Sequence, residues 1–161
     1  MDASNVGQSA SRVGGVERVT GAQRYAADLR LPNVLHVKLV HLDCARARIV
    51  SIDAAEAARV PGVRCTMTAA DLPQPVPRYG PAYSDRPVLA VGETKFHGEP
   101  LAAVAAETED AAREAASLVR VAYEELPAVA TIDDALDPRS PLVQDPALRP
   151  NDPRANSNCF E

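Results

Sequence analysis

The most reactive cluster of side chains in this sequence lies in the turn Lys95-Phe96-His97-Gly98-Glu99-Pro100, with an ammonium, an imidazole and a carboxylate close together. Of these, Lys95 could carry a covalent group at a hairpin tip, as in biotin and lipoyl domains. The flanking residues lack the context of a carrier domain, and an exposed edge-strand lysine is the ordinary reading. His97 sits in a turn, where function often resides, but has no partner nearby in the sequence. His36 and His41 are an odd number of residues apart, so on a strand they face opposite sides and share no metal. Cys44, Cys65 and Cys159 are odd in number and widely separated. They suit neither a disulfide framework nor a zinc site, and an iron–sulfur cluster wants about four thiolates. They read as buried or idle thiols.

Other chemistries are missing as well. Gly14-Gly15 and Gly21 lie outside any strand–turn–helix setting, so no loop cradles a phosphate. Asp133-Asp134 and Glu124-Glu125 are adjacent, and in regular structure their side chains diverge onto solvated faces. No serine stands in a nucleophile elbow. The residues alone therefore assign no catalytic, cofactor-binding or metal-ligating position.

The elements that hold the turn are clearer. After it, Leu101 to Ala106 is a short apolar run suited to a buried strand. Thr108 can cap a helix whose first turn carries Glu109 and Asp110, favourable at the positive end of the dipole. Ala111, Ala115, Leu118 and Val119 then share one helical face. Val119, Val121 and Tyr123 alternate with Arg120, Ala122 and Glu124 as in a half-buried strand, and Pro127 ends the unit. Upstream, Leu35, Val37 and Leu39 alternate with His36, Lys38 and Val40. A second strand runs from about Arg46 to Ile52. Asp53 and Glu56 predict a short helix over Ala54 to Arg59, stopped by Pro61-Gly62. In a third strand, Val63, Cys65 and Met67 alternate with Arg64, Thr66 and Thr68, and Thr68 caps one turn to Leu72. Prolines 73, 75, 77, 81 and 87 then imply an extended loop.

Composition excludes several partners. A net charge of −5 with scattered arginines argues against a polyanion. No apolar run approaches the ~20 residues of a membrane helix, and the first fifteen or so residues, polar and small, form no signal pattern, so a cytoplasmic protein is the default. Residues 1–15 read as a flexible arm, 16–136 as the folded domain and 137–161 as a proline-rich linker toward a missing or separate domain. The ending at Cys159-Phe160-Glu161, without helix, strand or cap, fits a chain made to lean on something larger.

Several segments, in order, resemble the N-terminal α/β-hammerhead domain of the molybdopterin-binding subunit in the xanthine dehydrogenase/aldehyde oxidase family. They are Val19-Thr20-Gly21 with Tyr25 and Asp28, Ala45 to Ile49 running into Ser51-Ile52-Asp53, Pro61-Gly62-Val63, Thr68 to Pro73 and Pro87 to Ala90. The most specific are Lys95 to Ala102 and Val121 to Val129. The resemblance spans about Val16 to Val143. It implies an α+β fold, the α/β-hammerhead, with a small mixed sheet and two main helices. It also implies part of a molybdenum hydroxylase of the xanthine dehydrogenase, aldehyde oxidase or CO dehydrogenase type. The complete enzyme would hold molybdenum–molybdopterin, with 2Fe-2S clusters and FAD on partners, and would oxidise an electron-poor carbon. Its implied partners are a molybdopterin-binding domain or chain, an iron–sulfur subunit and a FAD subunit. This chain would bind no cofactor and be inert alone, whether separately encoded or truncated.

The family's catalytic glutamate also lies in a Gly-Glu-Pro setting, but near the far end of the long subunit. Glu99 matches the hammerhead's own Phe-x-Gly-Glu-Pro element instead, as a turn carboxylate. Phe96, His97, Gly98, Glu99 and Pro100 are therefore the candidate domain-interface loop. His41-Leu42-Asp43-Cys44 departs from the family's usual Ser-Pro-His run, and a stand-alone binding or assembly module with the same fold is the alternative.

Overall fold

Fourteen prolines keep the secondary structure in short pieces. The computed structural model describes residues 7, 9–29 and 31–159. In chain order its elements are α1 (Gly15–Val19), β1 (His36–Val40), β2 (Ala47–Asp53), β3 (Val63–Thr68), β4 (Arg78–Tyr79), β5 (Arg86–Pro87), β6 (Glu93–Thr94), β7 (Ala102–Ala106), α2 (Glu109–Leu118), β8 (Arg120–Glu125) and α3 (Ile132–Leu136). The chain divides into two units, Met1–Val34 and Leu35–Glu161. Residues 1–6 and 8 of the expected N-terminal arm lie outside the described residues, as do Arg30, Phe160 and Glu161.

In the first unit, Gly14 at φ +70° turns the chain into α1. A 3₁₀ turn follows at Ala26–Asp28, where the Asp28 carboxylate accepts from the Tyr25 backbone N–H at 2.9 Å.

In the second unit the strands form antiparallel sheets in the orders β1-β7-β3 and β6-β2-β8, with a two-residue ladder between β4 and β5. Helix α2 packs on β1 and β7. Its start is built as its sequence suggests, because the Thr108 hydroxyl accepts from the Ala111 N–H at 3.2 Å. Thr108→Ala is expected to cost about 1 kcal/mol by leaving that donor unsatisfied. Urea denaturation checks this, and Thr108→Ser should retain most of the stability.

The helix lies close to the sheet because its inner face is alanine. Ala112 and Ala115 are fully buried, and Ala111, Ala116, Leu118 and Val119 flank them. Ala112 was absent from the face predicted by periodicity, which was drawn too narrowly. Two cores result. Val40, Leu42, Ala47, Ala90, Leu101 and Ala102 pack together between the sheets. Ala57, Val60, Val104 and Ala115 pack under α2.

Three local expectations are corrected. Ala54 to Arg59 is not an α-helix but a turn ending in the 3₁₀ segment Ala57–Arg59. Asp53 does cap it, accepting from the Ala55 N–H at 2.9 Å, whereas Glu56 reaches out to Arg120 at 2.9 Å instead of back to the cap. The proline-rich loop contains the ladder β4–β5, which tolerates Pro87 because so short a pairing can omit one donor. The alternates Val37 and Leu39 of β1 and Cys65 and Met67 of β3 also lie on the face away from the core, whereas Val63, grouped with Cys65 and Met67 by alternation, is carried by a register shift to the core side, where it packs under α2. Val40, Ala102, Val104 and Ala106 face α2 and are buried, together with half-buried Lys38, Thr66 and Thr68, while Val37, Leu39, Cys65 and Met67 are exposed. Lys38 accounts for part of this, since its ammonium meets Glu109 of α2 at 2.8 Å.

Candidate functional site

The turn from Lys95 to Pro100 is held at both ends by the sheets. On one side Thr94, almost fully buried, pairs with Ala47 and accepts from the Ala47 N–H through its hydroxyl at 3.0 Å. On the other, the Pro100 carbonyl accepts from the Ala90 N–H at 2.8 Å and the Leu101 N–H donates to the Val40 carbonyl at 3.0 Å. The Glu99 N–H closes the turn onto the Phe96 carbonyl at 3.2 Å, and Gly98 adopts φ +82°, a left-handed conformation that side chains other than glycine rarely take.

Within this frame Glu99 points inward, only 4% exposed, and accepts from the Lys95 N–H at 2.6 Å. It lines a cleft of about 390 Å³ with Asp85, Arg86, Pro87, Lys95, Phe96, Val143 and Gln144. Burial pushes the Glu99 carboxyl above its ordinary value, against the Lys95 N–H and the positive charges of Lys95 and Arg78. Glu93 adds to the rise. A carboxyl raised in the folded state stabilises the fold fully only below its unfolded pKa. That contribution is lost as pH rises through the folded value. Glu99→Gln keeps an acceptor for the Lys95 N–H without the buried charge. Its Tm is expected to exceed the parent's by a few degrees at neutral pH and to converge with it in acid, as a thermal-melt series across pH would register.

The other residues singled out by type are scattered. His97 has a partner that sequence reasoning missed: its Nε2 lies 3.0 Å from Asp43 Oδ1. The two are far apart in the chain, so no local spacing signals the pair, and both are exposed, which makes the contact weak. Lys95 lies half-buried at the cleft instead of standing free at a tip. Cys44, Cys65 and Cys159 are all free thiols, and Cys65 is exposed, not buried. Among the described residues no group of three or more His, Cys, Asp or Glu could hold a metal ion, and no helix is long and apolar enough to cross a membrane.

A second polar feature was not legible in the sequence. Arg149 and Asp152 are both buried, and Arg149 Nε donates to Asp152 Oδ2 at 2.8 Å. Arg149 Nη1 donates to the Ser157 carbonyl at 2.8 Å and Nη2 reaches the Cys159 carbonyl. One guanidinium thus gathers the proline-rich end of the chain.

Comparison with known proteins gives a consistent result. Residues 20–127 match the family model described as the a/b hammerhead domain of aldehyde oxidase and xanthine dehydrogenase. A xanthine dehydrogenase of Dictyostelium discoideum is 37% identical over 77% of this chain and 9% of its own length. The nicotinate dehydrogenase large molybdopterin subunit of Eubacterium barkeri is 31% identical over 86% of this chain and 32% of its own. Quinoline 2-oxidoreductase from Pseudomonas putida 86 superposes with a TM-score of 0.75 at 39% identity, over 83% of this chain and 18% of that one. CO dehydrogenase from Oligotropha carboxidovorans superposes with a TM-score of 0.77 at 35% identity, over 84% and 17%. The chain thus spans between about a tenth and a third of the length of these relatives.

Proposed function

Since this chain belongs to the a/b hammerhead family of aldehyde oxidase and xanthine dehydrogenase, we propose that it is the supporting domain of a molybdenum hydroxylase and not its reaction centre. The observation that carries this reading is the match itself: the hammerhead accounts for most of this chain and for only 9–32% of the length of relatives named xanthine dehydrogenase and nicotinate dehydrogenase. The α+β architecture belongs to a molybdenum hydroxylase family domain.

The side chains present do not fit the cofactors that such an enzyme implies. The described residues hold no metal-binding cluster, and the three free cysteines fall short of the four thiolates of a 2Fe-2S cluster. Molybdenum–molybdopterin, the iron–sulfur clusters and FAD would therefore be held by a molybdopterin-binding part and by iron–sulfur and flavin partners. Residues 16–136 would form the supporting body, residues 137–161 the path toward the molybdopterin-binding part, and the turn Phe96 to Pro100 a contact with a neighbouring domain. Charge agrees with such a role, since the acidic balance suits no nucleic acid.

Affinity purification of the tagged chain from its own host tests the proposal. Molybdenum should co-elute in near-equal amount to the chain, together with the ultraviolet–visible bands of two-iron clusters, while the isolated chain should turn over no aldehyde or N-heterocycle. Elution of the chain without metal, or turnover by the chain alone, would overturn it.

A further inference from the structure

The cleft beside the Lys95–Pro100 turn has the parts of a small-molecule site that a supporting role leaves unused. Glu99 is buried, and its Oε2 accepts from the Lys95 N–H. Among the described residues no donor reaches its other oxygen. Two cations line the same cleft, Lys95 and Arg86, and among the described residues neither side chain has a hydrogen-bond or ion-pair partner. Lys95 is close enough to Glu99 to act on its charge, yet the two form no ion pair. The walls are fixed. Pro87 is buried in the ladder β4–β5, and Phe96, one of two phenylalanines in the chain, is 47% exposed. A third wall comes from the proline-rich end of the chain, where Gln144 Nε2 donates to Asp85 Oδ2 and the Val143 N–H donates to Asn158 Oδ1 at 2.9 Å. The volume, about 390 Å³, falls within the range of small-molecule sites.

A half-buried ammonium without a partner is costly, and so is a buried carboxyl with one oxygen unbonded. A ligand that supplied both partners would relieve both. Its charge follows from the lining. Burial favours the neutral form of Glu99, so Lys95 and Arg86 against Asp85 leave one positive charge to be neutralised. Arg78 and Glu93, which also act on Glu99, offset each other. A carboxylate is a monoanion that accepts from an arginine fork and an ammonium together, and also from a protonated carboxyl. A phosphate monoester, with about 1.5–2 charges at neutral pH, would overcharge the cleft. The exposed ring of Phe96 suits a flat apolar body.

We propose that this cleft binds a small aromatic carboxylate of a single ring, with the ring against Phe96 and Pro87 and the anionic end among Lys95, Arg86 and Glu99. His97 and Gly98, at the tip of the turn, are not among the lining residues. A domain contact through the tip and a ligand in the cleft are therefore compatible. The site does not rest on the hydroxylase reading.

Titration of the isotope-labelled full chain with sodium benzoate, followed by amide NMR, tests the site. The amides of Lys95, Phe96, Glu99 and Gln144 should shift together and saturate with a Kd of ~1 mM or tighter, since a single ring offers few contact atoms. Benzamide, which lacks the charge, and acetate, which lacks the ring, should each bind at least ~10-fold more weakly. Lys95→Met and Phe96→Ala should weaken benzoate binding by a similar factor with the Tm near the parent value. Glu99→Gln should bind benzoate at least as tightly as the parent, because its amide donates where the neutral carboxyl would. No saturable shift at these amides, equal binding of benzamide, tighter binding of benzylamine than of benzoate, or loss of benzoate binding in folded Glu99→Gln would each overturn the inference. Recovery of molybdenum with the chain is a separate measurement, so failure here leaves the functional reading standing.

Discussion

Replacing Leu101 with alanine is expected to lower the unfolding free energy by about 2–5 kcal/mol. Leu101 is fully buried and, among the described residues, is the largest side chain of which that is true. It packs with Val40, Leu42, Ala47, Ala90 and Ala102 where the two three-stranded sheets meet, and its backbone N–H is bonded to the Val40 carbonyl. The neighbours are short, and aromatic residues make up only 4% of the chain, so no large side chain can swing into the space. Both the lost transfer energy and the residual cavity should then be felt. Against a total stability of about 5–15 kcal/mol, a loss of this size leaves the chain marginal near body temperature. The urea midpoint should fall with little change in slope, and Leu101→Met should cost under about 1.5 kcal/mol. A loss under about 1 kcal/mol for the alanine variant would mean that the two sheets do not depend on this contact.

Replacing Arg149 with lysine is expected to open the segment 145–159 while leaving the sheets intact. The planar fork of Arg149 serves Asp152 and the carbonyls of Ser157 and Cys159 at once. A lysine ammonium is a point charge and cannot make those bonds in one plane. Asp152 would keep its bond from the Arg154 backbone N–H, which holds its carboxyl below the ordinary value against the opposing effect of burial. It would lose the further lowering that Arg149 supplies. A carboxyl lowered in the folded state stabilises above its unfolded pKa and loses that contribution as pH falls, so acid should loosen the same segment in the parent protein. Limited proteolysis within the segment should be at least about tenfold faster in Arg149→Lys, because local opening governs cleavage there. The Tm should stay near the parent value. Equal protection of the segment in variant and parent would show that its order comes from elsewhere.

The contrast between these sites explains how much of the molecule can be read before it folds. The unit from Leu101 to Glu125 was legible because its signals are local. Thr108 caps through a residue three positions on, Thr68 does the same with its own turn, and Gly98 bends the site loop where a positive φ is required. The family and its α+β class were legible for a similar reason, since the matching motifs are short and ordered along the chain. The site turn was identified correctly as a turn, but the cleft that surrounds Glu99 was not, because Arg86, Val143 and Gln144 arrive from distant parts of the chain.

By itself, then, the amino-acid order located β7, α2 and β8, because the turn at Gly98-Glu99-Pro100, the Thr108 cap and Pro127 act within a few residues. It also determined that β1 and β3 are two-faced, because strand side chains alternate. Only the tertiary structure decided which face α2 would cover. That choice depends on Lys38 meeting Glu109 and on alanines allowing close approach, contacts between residues remote in sequence. The same holds for His97 with Asp43 and for Arg149 gathering the carbonyls of Ser157 and Cys159. No period or spacing announces a partner that chain folding alone brings near.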